Sequence, residues 1–159
     1  MGKVLSLNSL GALKRQINGK TSVVAGGCFD ILHPGHVVFL EKSKALGDFL
    51  IVLLESDARI KKIKGEGRPI HTQINRAKVL AALSCVDFII LLPEFKKDSE
   101  YDELIERLLP TTISTTKGDT QVLHKKRQAK KVGAKLKFVT SYIKAHSSSK
   151  VLKILASEI

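Results

Sequence analysis

The sequence predicts one α/β domain, with five parallel strands in a single sheet and helices on both of its faces. Three observations carry this. Strand-like runs alternate with helical periodicities along the chain, the pattern of strands joined by crossover helices. Two of the runs, 49–54 and 88–92, are apolar throughout, as strands covered on both faces must be. Glycine or proline stands at several of the joints: Gly19, Gly26, Pro34, Gly47 and Gly133.

In chain order, residues 6–18 place Leu7, Leu10, Leu13 and Ile17 on one helical face, closed by Gly19. This leading helix occupies 1–20 and the α/β core 21–159. The β-branched run 21–25 is a strand, stopped by Gly26-Gly27. Pro34 suits the first turn of a helix reaching about Leu46. Strand 49–54 follows, then a short basic helix at 57–64 and the loop GEGRP. The helix at 73–83 turns Ile74, Ala77, Leu80 and Ala81 inward. Strand 88–92, helix 101–109, strand 112–116, helix 120–132, strand 136–140 and helix 147–157 complete a Rossmann-like core.

Composition narrows the class. The 159 residues are 43% apolar and 26% charged, ordinary for a globular domain. No apolar run approaches the ~20 residues of a membrane-spanning helix, and no signal peptide is visible, so a cytoplasmic protein is expected. Cys28 and Cys85 form no disulfide or zinc pattern and read as reduced thiols. The formal charge is +12 and the pI about 9.8. Residues 111–159 carry eleven basic and two acidic side chains, so an anionic partner is expected.

The chemistry concentrates at 26–36, where the first core strand ends. In an open α/β sheet the ligand sits beyond the carboxyl ends of the strands. Here Gly26-Gly27-Cys28-Phe29-Asp30 leads into His33-Pro34-Gly35-His36. Glycines admit a phosphate close to the backbone. The helix opening at Pro34 offers it free N–H groups and a positive dipole end. Two histidines three residues apart face one pocket, with Gly35 leaving room between them. Other motifs fail. Gly19-Lys20-Thr21 lacks the earlier glycine of a P-loop and precedes a strand, and no GxGxxG occurs.

The stretch GCFDILHPGHVVFLEKSKALGD resembles the signature of the HxGH nucleotidyltransferases, in their cytidylyltransferase-like branch. ESDARIKKIKGEGRPIHTQINRAKVLAALSCVDFIILL is most similar to the adenylyltransferase family of ADP-heptose synthesis, and HSSSKVL to its serine/threonine-rich nucleotide loop. The resemblance implies in-line transfer of AMP from ATP to a heptose 1-phosphate, with release of pyrophosphate. It also implies Mg²⁺ carried by the triphosphate and a homodimer. By matching positions, His33 and His36 stabilise the transferring phosphate. Gly27, Cys28, Phe29, Asp30, Gly35, Arg76, Gly118, Asp119, Ser147, Ser148 and Ser149 line the nucleotide. Lys44 holds the acceptor phosphate, and Lys64 and Arg68 clamp phosphates. Residues Lys61–Arg68 read as a flap over them.

The chain departs from the family pattern at two places. Gly26 stands where Thr or Asn is usual, and Thr116-Lys117-Gly118-Asp119 replaces Lys-Gly-Gly-Asp. Two other functions stay open. One is a CTP-dependent cytidylyltransferase for glycerol 3-phosphate or a similar alcohol phosphate, although ATP is favoured over CTP. The other is a nucleic-acid-binding protein using the basic C-terminal third. That partner is not expected: with no Trp, two Tyr and six Phe, the chain offers no base-stacking motif. The lysines and arginines at 125–131 are read as an outer face of helix 120–132, with Leu123, Ala129 and Val132 inward.

Overall fold

A computed structural model describes residues 1–141. The expected helix at 147–157 and the candidates Ser147, Ser148 and Ser149 lie outside the described residues. The remainder is one parallel sheet of six strands rather than five. In chain order the elements are β1 (Lys3–Leu5), α1 (Leu10–Gln16), β2 (Ser22–Gly27), α2 (Pro34–Lys44), β3 (Phe49–Leu54) and α3 (Asp57–Lys64). These are followed by α4 (Gln73–Ala81), β4 (Phe88–Leu91), α5 (Asp98–Leu108), β5 (Thr112–Lys117), α6 (Val122–Val132) and β6 (Lys135–Ser141).

The sheet order is β1-β4-β3-β2-β5-β6. The extra strand is the three-residue β1, which pairs with β4 from Lys3↔Phe88 to Leu5↔Ile90. It is too short to show an alternation, and only pairing with β4 reveals it. It makes the leading segment part of the sheet.

Two apolar clusters sandwich the sheet. Val24, Ile51, Leu53 and Ile90 face Leu10 and Leu13 of α1, Leu104 and Ile105 of α5, and Ala129 of α6. Val23, Leu50, Val52 and Ile89 face Phe39 and Leu40 of α2 and Ala77 and Leu80 of α4. Strict alternation along β2 and β3 thus feeds both layers. Two periodicity readings are corrected. Ile74 on α4 is 53% exposed and Leu123 on α6 is 75% exposed. Arg76 takes an inward position on α4 beside the expected Ala77, Leu80 and Ala81, and on α6 Gln128 joins the expected Ala129.

Successive strands step outward from β2 toward β1, whereas β5 and β6 lie on its other side. The order therefore reverses between β2 and β5, the switch point at which open α/β sheets bind ligands. The backbone there is already parted. β2 and β3 pair through to Gly27↔Leu54. β2 and β5 are in register only at Val23↔Thr112 and Val24↔Ile113, so Ala25–Gly27 diverges from Ser114–Lys117.

The polar run TTIST is accommodated beside this gap. Ser43 Oγ of α2 donates to Phe39 O and lies 2.8 Å from Ser114 Oγ. Ser114 Oγ also reaches Val24 O at 3.3 Å. A polar central strand is stable because each buried hydroxyl has a partner.

Candidate active site

The switch-point crevice gathers the glycines, the histidines and a cavity. Gly27 ends β2, and a Cβ there would sit 2.7 Å from the Phe29 ring. A side chain at 27 would push Phe29 off its seat. Phe29 itself takes φ 44°, an unusual backbone for a non-glycine residue. Its ring lies 5.2 Å from that of His36. Among the described residues nothing lies within 4 Å of a Cβ built on Gly26, so their packing does not require this glycine.

Pro34 opens α2 with His33 as the residue before it. The His33 and His36 rings stack with centroids 3.8 Å apart and 23° between planes. Burial first, then the neighbouring His33 and Lys64, push the His36 pKa down to about 4, against a small opposing effect of the Ile31 backbone. The imidazole is therefore neutral at pH 7. Lys64, at the end of α3, acts on Cys28 as well as on His36, so its charge lies at the crevice.

Asp30 and Arg76 are brought here in roles different from those expected. The Asp30 carboxylate is fully buried and accepts from Arg68 Nε at 2.6 Å, from Ile70 N–H at 2.9 Å and from His71 N–H at 3.1 Å. Burial raises its pKa, but those two amides and Arg68 outweigh it and hold the carboxyl below its usual range. Asp30 thus ties the 68–71 loop to the end of β2. Arg76, 1% exposed, donates to His71 O, Cys28 O, Glu55 O and Asp57 Oδ1. All three of its nitrogens are engaged, so it braces the carboxyl ends of β2 and β3 instead of reaching a nucleotide. Arg68 differs: its side chain is 8% exposed, yet Nη2 is buried with no hydrogen-bond partner among the described residues. That is a donor held in reserve beside the crevice.

Lys44 is not at the site. α2 starts where β2 ends and runs back along the sheet, its 11 residues spanning about 16 Å. Lys44 Nζ bonds Asp87 Oδ2 at 2.7 Å and Asp48 O, residues that precede β4 and β3. It lies at the amino ends of the strands, opposite the crevice, and cannot hold an acceptor phosphate there. Its partner Asp87 also accepts from Leu50 N–H at 2.7 Å, so Lys44 helps fix the start of β3.

Gly118, at φ 86°, turns the chain after β5. Asp119 then accepts from Thr115 Oγ1 and Lys125 Nζ, each at 2.7 Å, and from Gln121 N–H at 2.8 Å. Burial raises its pKa, but these bonds prevail and keep the carboxyl ionised below its usual range. Lys125 was read as an outer-face residue. It turns inward instead, because Asp119 holds it.

A cavity of about 300 Å³ opens on the α5/α6 side of this crevice. Gly26, Gly27 and Cys28 line one side, Asp119 and Lys125 another. Glu55, Arg59 and Tyr101, none of them a candidate from the sequence, also line it, and Asp98, Thr120, Gln121, His124 and Gln128 add further polar groups. Tyr101 Oη donates to Glu55 at 3.0 Å. Burial pushes the Glu55 pKa up, although Tyr101, Arg59 and Arg76 counter it. Burial and the Glu55 charge also raise the Tyr101 hydroxyl. One signal was available: Glu55 is the first residue past the apolar run Phe49–Leu54, at a strand's carboxyl end.

Known proteins place the chain by family and fold. The bifunctional protein HldE of Helicobacter hepaticus is 39% identical over 151 residues, which cover 95% of this chain and 30% of that protein. HldE of Helicobacter acinonychis is 52% identical over 111 residues, covering 70% of this chain and 23% of that one. The chain thus spans under a third of the length of these curated relatives. A crystal structure of the lipopolysaccharide core biosynthesis protein of Thermoplasma volcanium is 29% identical, with TM-score 0.61 over 78% of this chain and 98% of that one. The pantoate-beta-alanine ligase of Francisella tularensis shares the fold, with TM-score 0.67 at 14% identity over 100% of this chain and 79% of that one. Residues 24–154 match the cytidylyltransferase-like family, and on that extent of match the chain belongs to this family of nucleotidyltransferases.

Proposed function

We propose that the chain transfers AMP from ATP to a sugar phosphate, with heptose 1-phosphate as the acceptor. The observation that carries the transferase chemistry is the stacked His33–His36 pair at the start of α2, beside Gly27 at the parted switch point. An acceptor phosphate oxygen attacks the α-phosphorus in line. The bond from that phosphorus to the bridging oxygen breaks, and pyrophosphate leaves with the electron pair. Positioning and charge stabilisation dominate such a step. The histidines donate to the transferring phosphate, the first amides of α2 add their dipole, and Lys64 with Arg68 Nη2 neutralises the leaving group.

Mg²⁺ fits as a passenger of the triphosphate. Among the described residues no group of three or more His, Cys, Asp or Glu side chains could hold a metal ion, and Mg²⁺ ordinarily keeps waters and phosphate ligands. Bound so, it would reduce the charge of the pyrophosphate. The choice of ATP and heptose rests on the 55–92 segment, which resembles the adenylyltransferase family of ADP-heptose synthesis. No helix among the described residues is long and apolar enough to cross a membrane, in keeping with soluble substrates. Pyrophosphate release across the four nucleoside triphosphates, each with heptose 1-phosphate, glycerol 3-phosphate and other sugar phosphates, tests this. ATP with heptose 1-phosphate should be the best pair. CTP with glycerol 3-phosphate as the best pair would replace the reading.

A further inference from the structure

We propose that Glu55, oriented by Tyr101, reads the hydroxyl groups of the acceptor and so sets which sugar or alcohol phosphate is taken. This rests on the transferase reading above and adds the specificity determinant that reading lacks.

Place comes first. The histidines pack on the α2 side of the sheet, with Phe29. The cavity lies on the α5/α6 side, and Gly27 and Cys28 line it as well. Groups bound on the two sides therefore meet across the end of β2. At about 300 Å³, the cavity is at the small end of ligand sites, about 300–1,000 Å³. It suits a single sugar better than a nucleoside triphosphate.

Chemistry orients the occupant. Val24, Leu53, Leu92, Ile105 and Ile113 give apolar walls, which suit the C–H faces of a carbon skeleton. Glu55 would repel a phosphate, so the phosphorylated end must point the other way, toward Cys28 and Lys64. A carboxylate offers roughly four acceptor positions. Tyr101 Oη, 3.0 and 3.2 Å from its two oxygens, is its hydrogen-bond donor. The others remain for donors, and a polyol supplies them. Arg59, whose buried Nε has no hydrogen-bond partner among the described residues, adds a cation to the same cavity. The ligand class is thus a phosphorylated polyol, entering hydroxyls first.

Glu55→Gln keeps the shape and the bond from Tyr101 but removes the charge. A hydrogen bond to a charged group is worth about tenfold or more in binding. Glu55→Gln should therefore raise the KM for heptose 1-phosphate about tenfold and leave that for ATP within about twofold. The preference for heptose 1-phosphate over glycerol 3-phosphate should shrink by a similar factor. Tyr101→Phe, which frees Glu55 to turn, should raise the acceptor KM alone by about threefold. Calorimetry with heptose 1-phosphate, Mg²⁺ and a non-hydrolysable ATP analogue should give the same ordering without turnover. An unchanged acceptor KM in both variants overturns the proposal, as does a rise confined to the ATP KM. Wild-type protein that neither binds nor turns over any sugar phosphate would overturn the transferase reading too. Active wild type with indifferent Glu55 variants overturns only the role of Glu55.

Discussion

His36 starts neutral and must meet a highly charged ligand. Burial, His33 and Lys64 hold its pKa near 4. A triphosphate against the ring favours the protonated form and raises that value. NMR titration of the ring should show a rise of at least about one unit at saturating ATP and Mg²⁺. An unmoved value would place the triphosphate elsewhere. His36→Ala should keep the fold and lose about 10²-fold in turnover, the scale of one preorganised donor. Near-normal turnover would remove His36 from the chemistry. Lys44 predicts the reverse profile. Its ion pair with Asp87 is 30% exposed at Lys44 and 26% at Asp87, worth about 1 kcal/mol. Lys44→Ala should lower stability slightly and leave both substrate KM values within about twofold. A selective rise in the acceptor KM would return Lys44 to the site.

At the scale of elements, the flap is shorter than its sequence suggests. Lys61, Lys62 and Lys64 belong to the last turn of α3, and Arg68 is held by Asp30. Only Gly65–Gly67 lies between these anchors, with φ 90° at Gly65 and 77° at Gly67. Triphosphate with Mg²⁺ should slow amide exchange at 65–67. The amides of Ile70 and His71 should be protected with or without ligand, because Asp30 accepts from both. Asp30→Asn leaves the Arg68 charge buried without its partner, costing about 3–5 kcal/mol. Thermal unfolding should move down accordingly, and exchange at Ile70 and His71 should accelerate. If stability and exchange both hold, the Asp30 tie is not what fixes the loop. The sequence made α2, β3 and β4 legible because a helix-opening proline and apolar length are local signals. It hid β1, whose evidence is pairing with β4, and the tie of Asp30 to residues forty positions away. It also misplaced Lys44, since matching a motif says nothing about which end of an 11-residue helix faces a ligand.

Over the whole molecule, charge that is concentrated in the C-terminal third of the chain is divided by folding. The excess of basic residues at 111–159 suggested a cationic face on α6. Much of that face is answered by acids. Arg127 pairs with Asp102 at 2.9 Å, Lys131 with Glu106, and His124 lies 3.4 Å from Asp98. Asp98, Asp102 and Glu106 recur every four residues, so they form one stripe along α5. Lys125 is spent on Asp119 at the cavity. Lys126 and Lys130 remain exposed on α6, too few to track a phosphate backbone. Nucleic acid should therefore bind weakly, without sequence preference, and be lost steeply as salt rises. The lysines of this helix should also separate by function. Lys126→Gln with Lys130→Gln should abolish the residual nucleic-acid binding and leave turnover unchanged. Lys125→Gln should do the opposite: it releases Asp119 in the cavity wall and should cut kcat/KM about tenfold, since a bond between two charged groups there is lost. Tight binding of one nucleic-acid sequence at physiological salt, or turnover that falls with Lys126 and Lys130 and not with Lys125, would show that this partition of the charge is wrong.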